Sequence, residues 1–265
     1  MNKKKIYNMT LFAVFASIIM LLGLVPNIGY ITFIPGIASL TIIHIPVLIG
    51  IMFLPLGYAL GLGFTFGLTS LIAAYVYGKT AFDFAFQNPI IAIVPRVLFS
   101  LAAYYIFHGF KVLFSKIKNG KTYSFIVVTV VTALFLYFTS VGLTKVTGWD
   151  IRFIYIGAFI LLIGLMILYY YFLSQDKYQN LTYIPSVFIT ASLVHSMIVL
   201  TLVALMKPLA YGEGTDILGV ILTVMSTNAL FEALIAVLIG SPIVVALFSL
   251  RESEEREDDI IIWCR

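Results

Sequence analysis

Long apolar runs separated by short polar turns make up most of the chain. Eight such runs lie at residues 7–24, 40–53, 58–76, 89–110, 123–143, 151–173, 183–205 and 218–247. Most are close to the ~20 residues that an α-helix needs to cross ~30 Å of hydrocarbon. The runs show no sustained alternation of apolar and polar residues, so helices are favoured over a β-barrel. The pattern predicts an all-α, polytopic transmembrane helix bundle of about eight spans.

Two of these runs are unusual. The second is short, and a very tight turn at Leu54-Pro55-Leu56-Gly57 separates it from the third. The eighth contains Gly240-Ser241-Pro242, where the proline lacks a backbone donor and disfavours helix in the residue before it. We therefore predict that the last helix breaks at this point or extends beyond the membrane.

Composition agrees with a membrane environment. Of the 265 residues, 62% are hydrophobic and 11% are charged, whereas soluble domains have roughly 45–50% apolar and about 25% charged residues. The run after Lys3, Lys4 and Lys5 resembles a signal peptide but lacks a small-residue cleavage site, so we expect a retained first helix. The single cysteine, Cys264, excludes a Cys-rich metal or iron–sulfur site. We expect the lipid bilayer as a partner, no nucleic acid, no metal and no cofactor.

The positions of lysine and arginine predict the orientation. If the amino terminus is cytoplasmic, eleven of the 16 basic residues lie inside: Lys3, Lys4, Lys5, Lys111, Lys116, Lys118, Lys121, Lys177, Arg251, Arg256 and Arg265. Four lie outside, Lys79, Lys145, Arg152 and Lys207, and Arg96 lies within a span. Because cytoplasmic loops carry the excess of basic residues, we predict a multi-pass cell-membrane protein with both termini in the cytoplasm. Residues 1–250 then form a single transmembrane domain, and 251–265 form an acidic cytoplasmic tail.

Three outward connections are long enough to contribute to a site: residues 26–39, 77–88 and 207–216. The first two are rich in aromatic side chains and poor in charge, which is consistent with loops that cover a small-molecule cavity. Interfacial anchoring by aromatic residues explains the same composition. Both interpretations remain open at this stage.

A few polar residues lie inside the predicted spans, where a charge costs ~2.5 kcal/mol or more and usually marks function. Arg96 lies in the fourth span, and Glu232 lies in the eighth, with Asn228 on the same helix face four residues earlier. His195, followed by Ser196, lies in the middle of the seventh. One interpretation is a cavity in which Arg96 meets an anionic group. The alternatives are a structural ion pair, snorkelling of Arg96 to the headgroups, or an interhelical hydrogen bond of His195.

Catalysis is not expected from these residues. No spacing provides a nucleophile with its base, and no Gly-rich phosphate loop is present. The chain is predicted not to be an enzyme. In the first span Ala13 and Ser17 are four residues apart, and Gly57, Gly61, Gly63 and Gly67 form similar pairs around the third. Such pairs let helices approach closely, within the bundle or against a partner.

Three segments resemble a known family and occur in the same order along the chain. They are residues 44–70, with His44-Ile45-Pro46, Leu54-Pro55-Leu56-Gly57 and Gly61-Leu62-Gly63; residues 88–98, with Asn88-Pro89 and Pro95-Arg96; and residues 228–244, with Asn228, Glu232 and Ser241-Pro242. They are similar to the substrate-binding S components of energy-coupling factor (ECF) vitamin transporters, particularly the pantothenate and cobalamin branch.

The resemblance implies a membrane subunit that captures a small water-soluble vitamin from outside and releases it inside. Its partners would be a transmembrane coupling subunit and two cytoplasmic ATPase subunits, which would hydrolyse the ATP. The family's small-residue docking motif would map to Ala13 and Ser17. The binding site would involve Gln87, Asn88, Arg96, Asn228 and Glu232, to which we add His195. Pantothenate is favoured over cobalamin or a thiamin precursor because its carboxylate suits Arg96.

The chain departs from the family pattern in two ways. Family members usually have six helices, so the segment from about 121 to 177 is interpreted as a two-helix hairpin inserted into a six-helix core. His195-Ser196 stands where the family often has Asn-Thr, which leaves the identity of the vitamin open. A self-sufficient, proton-coupled secondary transporter that uses Glu232 is the alternative function, although the internal repeats typical of such transporters are not evident.

Overall fold

The computed structural model describes residues 3–26, 28–31, 40–78, 81–174, 181, 183–206 and 229–250. In this part of the chain, seven helices are long and apolar enough to cross a membrane. The predicted all-α polytopic bundle is confirmed, and the chain has the helices of a multi-pass membrane protein. The tail 251–265, the connection 207–216 and Asn228 lie outside the described residues.

The helices follow one another with short connections. In chain order they are α1 (Lys3–Leu24), α2 (His44–Phe53), α3 (Leu56–Tyr77), α4 (Ala81–Ala85), α5 (Pro89–Lys116), α6 (Gly120–Thr147), α7 (Ile151–Ser174) and α8 (Ile184–Met206). The last helix is described from Leu230 to Leu250: an α-helical turn at Leu230–Ile235, a π-helical turn at Ala236–Gly240, and α-helix at 241–250. It does not break at Pro242, and the π-helical turn lies immediately before the proline.

A short antiparallel strand pair lies between α1 and α2. Strand β1 (Tyr30–Ile31) pairs with β2 (Leu40–Thr41), and Tyr30 is the cross-strand partner of Thr41. The predicted span 40–53 is therefore wrong in its first residues. The chain enters the bundle as a strand, and α2 has only 10 residues, about 15 Å of helix. Its first residue, His44, already lies against Ser192 in the middle of α8.

The closest helix packing joins α3 to its neighbours. A Cβ atom at Gly67 would lie 2.6 Å from the Cα of Ile93, and one at Gly61 would lie 2.9 Å from the ring of Phe12 on α1. Gly63 is similarly close to the backbone of Arg96. Because only glycine permits these approaches, α3 is held between α1 and α5. This packing fixes the height of Arg96 in the bundle.

Helices α6 and α7 form a hairpin that packs on the rest of the bundle through α5 and α8. At one end of the bundle, the hydroxyl groups of Ser124, Tyr169 and Ser186 are buried and hydrogen-bonded to one another, joining α6, α7 and α8. We call this the basic end, because Lys3, Lys4, Lys5, Lys116 and Lys118 also lie there. The opposite end, where α1 and α3 finish and α5 begins, is the pocket end.

Candidate functional site

Arg96 lies about two turns below the start of α5 and is almost fully buried, with 4% of its surface exposed. Pro95, immediately before it, has no N–H group, so the carbonyl of Ile91 has no helical donor from that residue. The Nη1 atom of Arg96 donates to this carbonyl at 3.1 Å. The sequence Pro95-Arg96 thus makes a local acceptor available and places the guanidinium in the bundle interior.

Aromatic rings cover the guanidinium. Its central carbon lies 4.5 Å from the centre of the Phe86 ring and 5.5 Å from that of Phe66. Such contacts stabilise a cation that has lost its water shell. They do not provide hydrogen-bond acceptors for its remaining N–H groups. The Nε atom of Arg96 is buried without a partner, and among the described residues Arg96 forms no ion pair. Within the described part of the chain, the site therefore contains a cation that no carboxylate contacts directly.

His195 is the second buried polar group of the site. Its ring stacks on that of His44 at 5.4 Å and meets the edges of Phe99 at 4.7 Å. Phe66 contacts both His195 and Arg96. Neither ring nitrogen of His195 has a hydrogen-bond partner among the described residues. Buried polar atoms are normally paired, so these nitrogens are a second unsatisfied group in addition to the Nε of Arg96.

Tyr30 reaches the site from the strand pair. Its ring is partly buried, and its hydroxyl is fully buried near Ser70 and within electrostatic reach of Arg96, without a hydrogen bond of ordinary geometry among the described residues. Burial raises the pKa of Tyr30 above its ordinary value, and the positive charge of Arg96 partly opposes this shift. The hydroxyl is therefore protonated at neutral pH and is available as a donor at the site.

Glu232 is also buried, with 6% of its surface exposed, but its oxygens have partners. The backbone N–H of Thr41 donates to Oε1 at 2.7 Å, and the Ser196 hydroxyl donates to Oε2 at 2.9 Å. Glu232 and Arg96 attract each other electrostatically without contact. The Glu232 side chain therefore attracts Arg96 only from beyond contact distance, and its hydrogen bonds tie the last helix to β2 and α8.

The other predicted site residues have local roles. The side chain of Asn88 accepts from the Ile90 N–H at 3.0 Å and caps α5, while Gln87 donates to the Ala74 carbonyl at 3.2 Å. Both lie at the pocket end, above Arg96. The structure therefore brings Arg96, His195 and Glu232 together, and it uses Gln87 and Asn88 to hold the end of α5. Asn228 lies outside the described residues.

The predicted docking residues lie away from this site. Ala13 and Ser17 are both exposed on α1, and the Ser17 hydroxyl donates to the Ala13 carbonyl at 2.8 Å within the same helix. The serine hydroxyl is satisfied inside its own helix, so the surface that this pair presents is small and apolar.

Sequence reasoning missed four contributors to the site: Tyr30, Thr41, His44 and Ser192. One signal was available, because Ser192, His195 and Ser196 are spaced i, i+3, i+4 and therefore share one face of α8. Thr41 contributes its backbone N–H, which no side-chain pattern reveals. Tyr30 becomes visible only once the strand pair is known.

Comparison with known proteins gives no assignment: no protein-family model matches the chain, and no curated protein is significantly similar to it. The chemistry of the site is therefore the basis for a function. Among the described residues, no group of three His, Cys, Asp or Glu side chains is placed to hold a metal ion. Among the described residues, the buried groups of the site that lack a hydrogen-bond partner are the Nε of Arg96, the Nδ1 of His44, both nitrogens of His195 and the Tyr30 hydroxyl. Together they suit a small polar molecule with an anionic group.

Proposed function

We propose that this chain is the vitamin-binding membrane subunit of an ATP-driven ECF-type importer, with pantothenate as the favoured vitamin. The observation that carries the proposal is the buried guanidinium of Arg96, which has no anionic partner among the described residues. A charge inside a membrane-spanning bundle is costly and is retained where it serves binding or transport. The sequence resemblance to S components supports the same function.

The favoured vitamin follows from the groups that lack partners. A carboxylate beside Arg96 would form charge-assisted hydrogen bonds with the guanidinium, which are stronger than neutral ones. Tyr30 and His195 would meet hydroxyl or amide groups of the same molecule. Pantothenate has one carboxylate, two hydroxyl groups and one amide, so it matches this set. A thiamin precursor without an acid group would leave Arg96 unpaired.

Transport in this proposal depends on partners. The vitamin enters from the outer side, which corresponds to the pocket end, and the small surface around Ala13 and Ser17 docks on the coupling subunit. Two cytoplasmic ATPase subunits supply the energy. The chain itself binds and carries its cargo but does not hydrolyse ATP.

The proposal is tested by Arg96→Ala in purified protein, with pantothenate titrated in detergent. Loss of a hydrogen-bonded charge pair costs roughly 1.5–3 kcal/mol, so we expect the affinity to fall about 10- to 100-fold while the protein stays folded. Arg152→Ala is the matched control, because Arg152 is an exposed arginine that pairs with Asp150 far from the site. Equal affinity of the Arg96 variant and the wild type would contradict an anionic ligand at Arg96.

The self-sufficient proton-coupled transporter remains the second candidate, since Glu232 is a buried carboxylate in a membrane helix. The two candidates differ in their need for partners. Reconstituted alone in liposomes with a proton gradient, a secondary transporter accumulates its substrate. An S component binds its vitamin there but accumulates it only when the coupling and ATPase subunits and ATP are added.

A further inference from the structure

Glu232 is the buried acidic residue of the site, but its hydrogen-bonding state differs from that of Arg96. Both of its oxygens accept hydrogen bonds from the protein, at 2.7 Å from the Thr41 N–H and at 2.9 Å from the Ser196 hydroxyl. The first of these bonds crosses from the last helix to the strand pair. It is the contact that ties β2 to a membrane-spanning helix through a charged group.

The strand register extends this contact to Tyr30. Thr41 and Tyr30 are direct cross-strand partners, so fixing the backbone at Thr41 fixes the backbone at Tyr30. The Ile42 N–H donates to the Gly29 carbonyl at 3.0 Å and closes the pair on its inner side. The Tyr30 hydroxyl, which is buried and interacts electrostatically with Arg96, is thereby held in place. A chain of contacts thus runs from Glu232 through Thr41 to Tyr30, and the Tyr30 hydroxyl acts on the guanidinium through the electrostatic interaction.

We infer that Glu232 is a positioning residue: its carboxylate holds the backbone of β2 and so holds the Tyr30 hydroxyl at the Arg96 site. Tyr30, rather than Glu232, then supplies the second contact to a bound anion. That last statement rests on the proposed function, whereas the positioning role rests on the geometry of the described residues alone.

To hold β2, the side chain at position 232 must offer a hydrogen-bond acceptor to the Thr41 N–H; its negative charge matters less. Glutamine at position 232 retains a carbonyl oxygen for the Thr41 N–H, and its amide group can donate to the Ser196 hydroxyl. Leucine fills a similar volume but offers no acceptor, so the Thr41 amide loses its partner. The pair Glu232→Gln and Glu232→Leu therefore separates positioning from simple space filling.

The test is amide hydrogen exchange of the full-length protein in detergent, without any ligand. We expect Glu232→Leu to speed exchange in the peptide that contains residues 28–45 by about tenfold or more, because a hydrogen bond to a charged group is lost. Glu232→Gln should stay within about threefold of the wild type. Peptides from α3 and α5 should be unchanged in both variants. Ser241→Ala, which removes a buried hydroxyl from the same helix, is the matched control.

Three results would overturn the inference. Wild-type exchange at 28–45 in Glu232→Leu would mean that the carboxylate does not hold β2. Equal acceleration in the Gln and Leu variants would assign the effect to the charge and not to the acceptor. Acceleration that is equally large in α3 and α5 would assign Glu232 a general structural role. None of these results depends on vitamin binding, so failure of the inference and failure of the proposed function are distinguishable.

Discussion

A buried arginine is retained in this bundle because several contacts replace its lost hydration. The rings of Phe66 and Phe86 cover the guanidinium, and the Ile91 carbonyl accepts one of its N–H groups. Glu232 adds attraction from beyond contact distance. These contacts are sufficient to keep Arg96 buried, and among the described residues they leave one N–H donor of its guanidinium, Nε, without a partner.

His195 is also buried with unpaired polar atoms, so its contributions to stability and to binding can be tested by substitution. His195→Phe keeps an aromatic ring among Phe66, Phe99 and His44 and removes two buried nitrogens that lack partners. Because an unpaired buried polar atom destabilises the fold by about 1–3 kcal/mol, we expect the melting temperature of the ligand-free variant to equal or exceed that of the wild type. Pantothenate affinity should fall about tenfold, as one hydrogen bond is lost.

The control for this variant is His108→Phe, which changes an exposed histidine near the basic end of α5. It should alter neither quantity by more than experimental error. A clear loss of stability in His195→Phe, with unchanged affinity, would show that His195 serves packing and not binding.

At the residue scale, the sequence identifies the costly groups but not their partners. Arg96 and Glu232 stand out because each lies in a long apolar run, where a charge needs a reason. That Glu232 is saturated while Arg96 is not depends on the position of the Thr41 backbone and of Ser196. Both come from distant segments, and their approach is set by tertiary packing rather than by spacing along the chain.

At the scale of elements, the apolar runs predict most of the helices and their order. The predicted runs 58–76 and 183–205 lie within one or two residues of α3 (Leu56–Tyr77) and α8 (Ile184–Met206). The predicted helix at 40–53 is wrong in its first residues, and the reason is physical. A short strand that runs directly into an apolar helix adds residues to the same apolar run, so the composition does not separate β2 from α2. The length of α2 is set by the entry of the chain into the bundle as a strand and is not encoded in local periodicity.

The first helix offers a prediction about docking. Ala13 and Ser17 are exposed, so a larger side chain there meets no neighbour within the chain. We expect Ala13→Leu to fold and to bind pantothenate with wild-type affinity, but to abolish uptake in cells that contain the coupling and ATPase subunits. The reason is steric, because a close helix–helix contact tolerates only small residues. Uptake of labelled pantothenate and binding by the purified variant measure the two effects.

Ala13→Ser is the matched control, since serine is small enough for the same contact and already occurs at position 17. It should retain uptake. Normal uptake by Ala13→Leu would place the docking surface elsewhere on the protein.

At the scale of the whole molecule, α6 and α7 form a hairpin that packs on α5 and α8. Helices α6 and α7 leave the basic end and return to it, and the hydroxyl cluster of Ser124, Tyr169 and Ser186 fixes them there against α8. Removal of one member would leave the other two with only the hydrogen bond that joins them. Most of α7 is exposed and apolar, as expected of a helix that faces lipid. Arg96, His195 and Glu232 lie on α5, α8 and the last helix, outside this hairpin.

The predicted orientation of the whole molecule rests on the lysines of the basic end and is open to a direct test. Helix α6 has 28 residues, about 42 Å of helix, so its two ends must lie on opposite sides of ~30 Å of hydrocarbon. In a background where Cys264→Ser removes the native thiol, Trp149→Cys places a cysteine in the turn after α6, where the side chain is 69% exposed. Lys118→Cys places one before α6, among the lysines of the basic end.

Because basic residues remain on the cytoplasmic side, a membrane-impermeant maleimide added to intact cells should label Trp149→Cys and not Lys118→Cys. After permeabilisation it should label both, and the native Cys264 of the unmodified chain should behave like Lys118→Cys. The opposite pattern would turn the pocket end toward the cytoplasm. Arg96 and Tyr30 would then lie nearer the cytoplasm and could not capture a vitamin from outside the cell. The proposed import function would be contradicted, and a function in export or in binding an intracellular molecule would take its place.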